Sequence, residues 1–273
     1  MAMGNGGIIG PRNVPTPSAA PGVWSLAEAQ QYKAAGLWPV TTPPFSSAVA
    51  LQGGATSYLS RTFGAGNRKK FALSYFVRTP ASFSAQMAIF GGGSSSDSFF
   101  ITSTGQPGFL LNNGASGEQW ATAGLSTSTY SHVLHHVDTD AAAGDRLRLW
   151  VNGTEVTSFG RDNNPSSGEL AGTINNSAAL RIGRAINDVQ SWSSSWIFDE
   201  IAFFDGQLPD IADVRDSVTG KPKDLSALNF GTTGFWLRFE GGTAALAGVD
   251  SSGLGNDWTG TNIVDGDLVS TVP

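Results

Sequence analysis

RLRLWVNGTEV, residues 146–156, alternates arginine and leucine up to Trp150-Val151, breaks at Asn152-Gly153, and resumes with Thr154-Glu155-Val156. Alternation of polar and apolar side chains is the pattern of a half-buried strand. Asn-Gly supplies the two positive-φ residues that a tight hairpin turn needs. The stretch therefore reads as two antiparallel strands joined by a two-residue turn, with strands over Arg146–Val151 and Glu155–Phe159. Working outward, the same pattern of short apolar runs between polar turns recurs. Strands are predicted at Phe71–Arg78, Met87–Phe90, Phe99–Thr102, Gly108–Leu111, Ser131–Val137, Leu180–Ile182, Trp196–Phe204 and Phe235–Phe239. A second turn signal, Asn112-Asn113-Gly114, follows the fourth of these runs. Outside the N-terminal region only Pro209–Ser217 reads as helical, with its proline at a first turn. The class is all-β, an antiparallel β-sandwich.

Composition agrees. Charged residues are 14% of the 273, and thirty-five glycines with many Ser, Thr and Asn residues take their place, against about 25% charged residues in an average domain. That mixture suits short strands, many turns and polar, weakly charged surfaces. There is no cysteine, so disulfides and thiolate metal sites are excluded. The net charge of −6 argues against nucleic acid, because phosphate binding needs clustered Lys and Arg. The cluster Arg68-Lys69-Lys70 reads as a solvated strand entrance. No run approaches the ~18 apolar residues that a bilayer demands, so no membrane partner is expected. Met1–Gly10 has neither the basic residue nor the apolar run of a secretory signal, so cytoplasmic synthesis without a signal peptide is the expectation.

Residues 1–45 have a different character from residues 46–273. Prolines at 11, 15, 17, 21, 39, 43 and 44 forbid helix or central strand over most of that arm. The exception is Ser25–Ala35, where Ser25 and Glu28 form a capping-box pattern and Gly36 ends the helix. Trp24, Leu26, Tyr32, Leu37 and Trp38 give this short helix an apolar surface with little core of its own. It is expected to dock on another surface, such as that of another chain. A flexible linker is the alternative.

Candidate sites are few. His132, His135 and His136 share one predicted strand, with His132 and His136 on one face and His135 on the other. A two-histidine metal site lacks a marked third ligand, so a strand histidine that is hydrogen-bonded or half exposed is the plainer reading. Two turn clusters have the oxygen content of a Ca2+ site: Asp138, Asp140 and Asp145, and Asp250 with Asn256. Ordinary Asx turns explain the same residues. No other cofactor is expected. Trp120, Trp192 and Trp196 lie in polar stretches that suit stacking on sugar rings, with partial burial at a rim or interface as the alternative. Asp199 and Glu200 are adjacent on one strand, so simple alternation points them to opposite faces. That arrangement does not make the facing carboxylate pair of a glycoside hydrolase, and no nucleophile elbow is present. The chain is not expected to be an enzyme.

Several segments together resemble the laminin-G-like/concanavalin-A-like jelly roll. RLRLWVNGTEV is similar to that family's Asn-Gly hairpin, and SHVLHHVDTD at 131–140 to the strand before it. Arg181-Ile182-Gly183 matches a short "rIG" strand, and WIFDEIAFFDGQLPDIADV at 196–214 the strand and helical turn that follow. The E-x-D-x-x-E pattern of the family's retaining glucanases is missing. FWLRFEGGTAALAGVDSSGLGNDW at 235–258 resembles the stretch that usually opens such domains, yet it stands near the C-terminal end here. A sandwich whose first and last strands are neighbours tolerates that permutation. The arm segment GIIGPRNVPTPSAAPGVWSLAEAQQYKAAGLWP, residues 7–39, resembles arms on virion proteins of tailed phages. That resemblance implies a virion-surface protein, a capsid decoration or tail-fibre component. Its expected partners are capsid or tail proteins and copies of itself. Recognition of host-surface polysaccharide is the alternative function.

Overall fold

The computed structural model describes residues 31, 48–51, 57–83, 86–92, 97–112, 114–184, 196–240 and 243–269. Of the expected arm helix only Gln31 is described, in helical conformation, and Trp24, Leu26, Tyr32, Leu37 and Trp38 lie outside these residues.

In chain order the strands are β1 (Ala48–Leu51), β2 (Tyr58–Thr62), β3 (Lys70–Arg78), β4 (Met87–Gly91), β5 (Ser98–Ile101), β6 (Pro107–Leu111), β7 (Gly117–Ala121) and β8 (Tyr130–Asp138). They continue with β9 (Leu147–Val151), β10 (Thr154–Glu155), β11 (Phe159–Asn163), β12 (Ala179–Ile182), β13 (Trp196–Asp205), β14 (Phe235–Leu237), β15 (Thr259–Thr261) and β16 (Leu268–Val269). A single turn of helix, α1 (Ile211–Val214), follows β13.

These strands form two antiparallel sheets of eight. The first runs β10-β9-β8-β3-β13-β1-β16, with β14 also on β13, and the second β11-β7-β6-β5-β4-β12-β2-β15. The expected all-β sandwich is what the structure shows. The deciding hairpin is β9–β10, with Asn152 at φ 52° and Gly153 at φ 89°, and Val151 opposite Thr154. The second strand of that reading is two: β10 stays in the first sheet, and β11 crosses to the edge of the second.

Period-two alternation sorts the side chains. Phe71, Leu73, Tyr75 and Val77 of β3 face the other sheet, as do Val133 and Val137 of β8 and Phe203 of β13. They meet Phe90, Phe99 and Phe109 of the second sheet, where ring centroids stand 4.5–6.3 Å apart. A smaller apolar cluster covers the outer face of the first sheet. There Ala72, Leu134, Trp150, Ala202, Phe204 and Trp236 meet Val214, Leu225 and Phe230 of the segment after β13.

Both sheets close the chain on itself. β1 pairs with β16, and β2 with β15. The first and last described strands are therefore neighbours in each layer, the condition that the displaced 235–258 segment requires.

Candidate functional site

The second sheet carries a half-buried tryptophan on its outer face. Trp120 of β7 stands opposite Gly108 of β6 on one side and Arg161 of β11 on the other. The β7–β11 register skips at Gly160, so β11 bulges beside the indole. A Cβ on Gly160 would lie 2.7 Å from Trp120 Nε1, and one on Gly108 would lie 2.7 Å from Trp120 Cβ. The two glycines thus clear the strip of sheet on which this side chain rests. Phe100 meets the indole edge-on at 6.3 Å. Glu118, two residues before Trp120, shares its face and pairs with Arg161, with Nε 3.0 Å from Oε2. An aromatic surface beside a guanidinium and a carboxylate offers a stacking face, hydrogen-bond donors and acceptors at one corner.

The other sequence candidates are placed differently. Trp196 is 4% exposed and packs in the core, with its ring 5.7 Å from Phe83, so its indole is not a surface platform. The reason is its strand: Trp196 opens β13, whose alternate residues fill the intersheet space. Trp192 lies outside the described residues. Asp138 pairs with Lys70 and Asp140 with Lys69, both at 3.2 Å, and Asp145 is exposed. The Asp250 carboxylate accepts from the backbone N–H groups of Trp236, Ser252 and Asn256 and from the Ser252 hydroxyl, at 2.7–2.9 Å. Asn256 donates to the carbonyls of Thr232 and Gly234 and accepts from Arg61. Apart from exposed Asp145, these residues spend their oxygens on lysines, backbone amides, a serine hydroxyl and an arginine. Among the described residues no three His, Asp or Glu side chains are grouped as metal ligands.

The histidines alternate as expected, and of the two plain readings the hydrogen-bonded one holds, with all three buried. His132 bonds Ser74 Oγ at 2.9 Å and stacks on Phe76 at 4.2 Å. His136 Nε2 donates to the Pro209 carbonyl at 3.0 Å, and His135 faces inward between Tyr75 and Phe99. Desolvation lowers their pKa values to about 3 for His132 and His135 and about 4 for His136.

Asp199 and Glu200 correct the alternation argument. The β3–β13 register jumps from Phe198↔Val77 to Glu200↔Phe76, leaving Asp199 as an extra residue. A bulge of this kind breaks strict alternation. Asp199 takes a hydrogen bond from Tyr130, which lies opposite Arg78 on the outer face of the first sheet. Glu200 Oε2 accepts from Trp236 Nε1 at 2.7 Å, also on that face. Both carboxyls therefore lie on one side. Burial pushes Asp199 up to about 7 and Glu200 up to about 8, only partly opposed by those hydrogen bonds. Asp199 Oδ1 and Glu200 Oε1 are buried without a hydrogen-bond partner.

Comparison with known proteins matches residues 52–210 to a family model described as the concanavalin A-like lectin/glucanases superfamily. Comparison with curated proteins gives no match. Among solved structures, a candidate carbohydrate-binding protein from Bacteroides ovatus superposes with a TM-score of 0.55 at 12% identity, over 83% of this chain and 60% of that one. This chain thus spans less than two thirds of that protein's length. A heptameric SAP-like pentraxin from Limulus polyphemus gives a TM-score of 0.45 at 16% identity, over 62% of this chain and 80% of that one. At these identities the likeness is one of fold.

Proposed function

We propose that this chain, which belongs to the concanavalin A-like lectin/glucanases superfamily, is a non-enzymatic glycan-binding sandwich that binds through the outer face of its second sheet. The observation that carries this reading is Trp120 resting beside two glycines, flanked by the Arg161–Glu118 pair. Sugar rings present an apolar C–H face and a rim of hydroxyls. An indole meets the first, while a guanidinium and a carboxylate meet the second. The name of the Bacteroides ovatus structure is consistent with this class of ligand. A binder rather than an enzyme is favoured because the paired carboxyls, Asp199 and Glu200, are buried beneath Trp236 and Tyr130 on the other sheet.

Substitution Trp120→Ala tests it. On a polysaccharide array the variant loses at least about tenfold in retention, equivalent to about 1.4 kcal/mol, while its circular dichroism and melting stay those of the parent. Unchanged retention would remove Trp120 from the reading.

A second reading concerns where the sandwich is carried, and it rests on the 7–39 segment and its likeness to tailed-phage arms. In that reading residues 1–45 dock on a capsid or tail scaffold, and the sandwich presents its glycan site at the virion surface. The measurement is copies per particle for the full chain and for residues 46–273 alone. Loss of incorporation by a folded truncation supports the docking arm. Retained incorporation assigns the contact to the sandwich.

A further inference from the structure

We propose that Asp199 and Glu200 form a proton-held latch that keeps β14 paired to β13 and the segment from Leu208 to Phe230 seated on the outer face of the first sheet. The geometry begins with the bulge in β13, which turns two consecutive carboxyls to the same side. Each then meets one partner from a different element: Tyr130 of β8 for Asp199, and Trp236 of β14 for Glu200. Trp236 is the link to the cover. Its ring stacks on Phe230 at 6.3 Å, its backbone N–H is held by Asp250, and it packs with Val214 and Leu225 in the outer apolar cluster.

The charged and titratable groups around the pair are Tyr130 and His132 on β8, Arg78 on β3, Arg238 after β14, and Arg215 and Asp224 on the covering segment. Arg238 lies 4.8 Å over the Trp236 ring and pairs with Glu240. The Tyr130 hydroxyl is pushed up to about 12, so it keeps its proton throughout the range considered. With protons on both carboxyls the pair is neutral and compatible with burial. Ionised, it is two adjacent negative charges, each with one buried oxygen that no donor reaches. An ionised carboxyl without such partners is costly in a dry site, and water must enter to solvate it.

The folded chain holds these protons more tightly than the unfolded chain does. Their stabilisation is therefore complete below the ordinary carboxylate range and is lost as pH rises through about 7 for Asp199 and about 8 for Glu200. The buried histidines act oppositely. Their lowered values contribute stability above about pH 6.5 that is lost as pH falls, so from pH 6.5 upward they can only add stability and cannot mimic the loss expected of the carboxyls.

Amide hydrogen exchange of the full chain, corrected for the intrinsic rate, is compared near pH 6.5 and near pH 9 for the parent and for Glu200→Gln. In the parent, peptides covering 208–240 lose tenfold or more of their protection at the higher pH, while β3 and β8 keep theirs. In Glu200→Gln, which retains an acceptor for Trp236 and cannot ionise, most of that pH response disappears. Asp199→Asn gives the same readout should the first variant fail to fold. Parent protection that does not change with pH, a full response retained in the variant, or a loss spread equally over β3 and β8 would each overturn the latch.

Discussion

Asp97 shows how much one buried side chain can organise. Its Oδ1 accepts from the backbone N–H groups of Asn112 and Gly172, and its Oδ2 from those of Thr173 and Ile174, at 2.7–3.1 Å. The Thr173 hydroxyl adds a further bond at 3.1 Å. One carboxylate thus ties the start of β5 to the end of β6 and to the loop before β12. Asp97→Ala leaves these amides without an acceptor, at about 1–3 kcal/mol for each buried group left unmet. The expected result is a loss of about 3 kcal/mol or more in urea unfolding, with glycan retention falling only as far as the fold does. The role of Asp97 is not legible in the sequence, because a serine-rich, glycine-rich stretch around an aspartate carries no sign of which distant amides it will meet. Trp120 was legible from its polar surroundings. Its neighbours Gly160 and Arg161 were not, since a glycine followed by charges reads as loop.

At the scale of elements, what alternation and turn chemistry control was legible. β3, β8, β9 and β13 are apolar-rich runs bounded by turn or polar residues, and the Asn152-Gly153 turn sets the register of its hairpin. The strands that went unread are short or polar: β7 is GEQWA, β11 is FGRDN and β15 is TGT. Such segments are strands because a neighbouring strand offers them hydrogen bonds, a tertiary cause with no local signature. The expected helix over Pro209–Ser217 shrinks to the single turn Ile211–Val214. Only Val214 of that turn is buried, which leaves little apolar face to support a longer helix. The bulge at Asp199 is the least legible feature of β13. One inserted residue reverses which face everything after it occupies, and no residue-type rule announces it.

For the molecule as a whole, the closure of both sheets makes the ends of the fold interchangeable with any exposed turn. Ala48 lies opposite Val269 across a β1–β16 pair, a separation of about 5 Å between Cα atoms. A permutant that joins these positions through a short glycine linker and opens at the exposed turn Ala142–Gly144 is expected to fold. Its near-ultraviolet spectrum should match that of the parent, and its melting temperature should lie within several degrees. A molten or aggregated permutant would mean that chain order, rather than the closed pair of sheets, holds the sandwich together.

The same closure bears on the moment of synthesis. β1 and β2 leave the ribosome among the first strands of the sandwich, but the partners that flank them, β15 and β16, come last. Until then each waits with an unpaired side. Pairings between such distant parts of the chain close slowly and late. The nascent sandwich thus has a built-in interval in which its first strands can be captured by a neighbouring chain's.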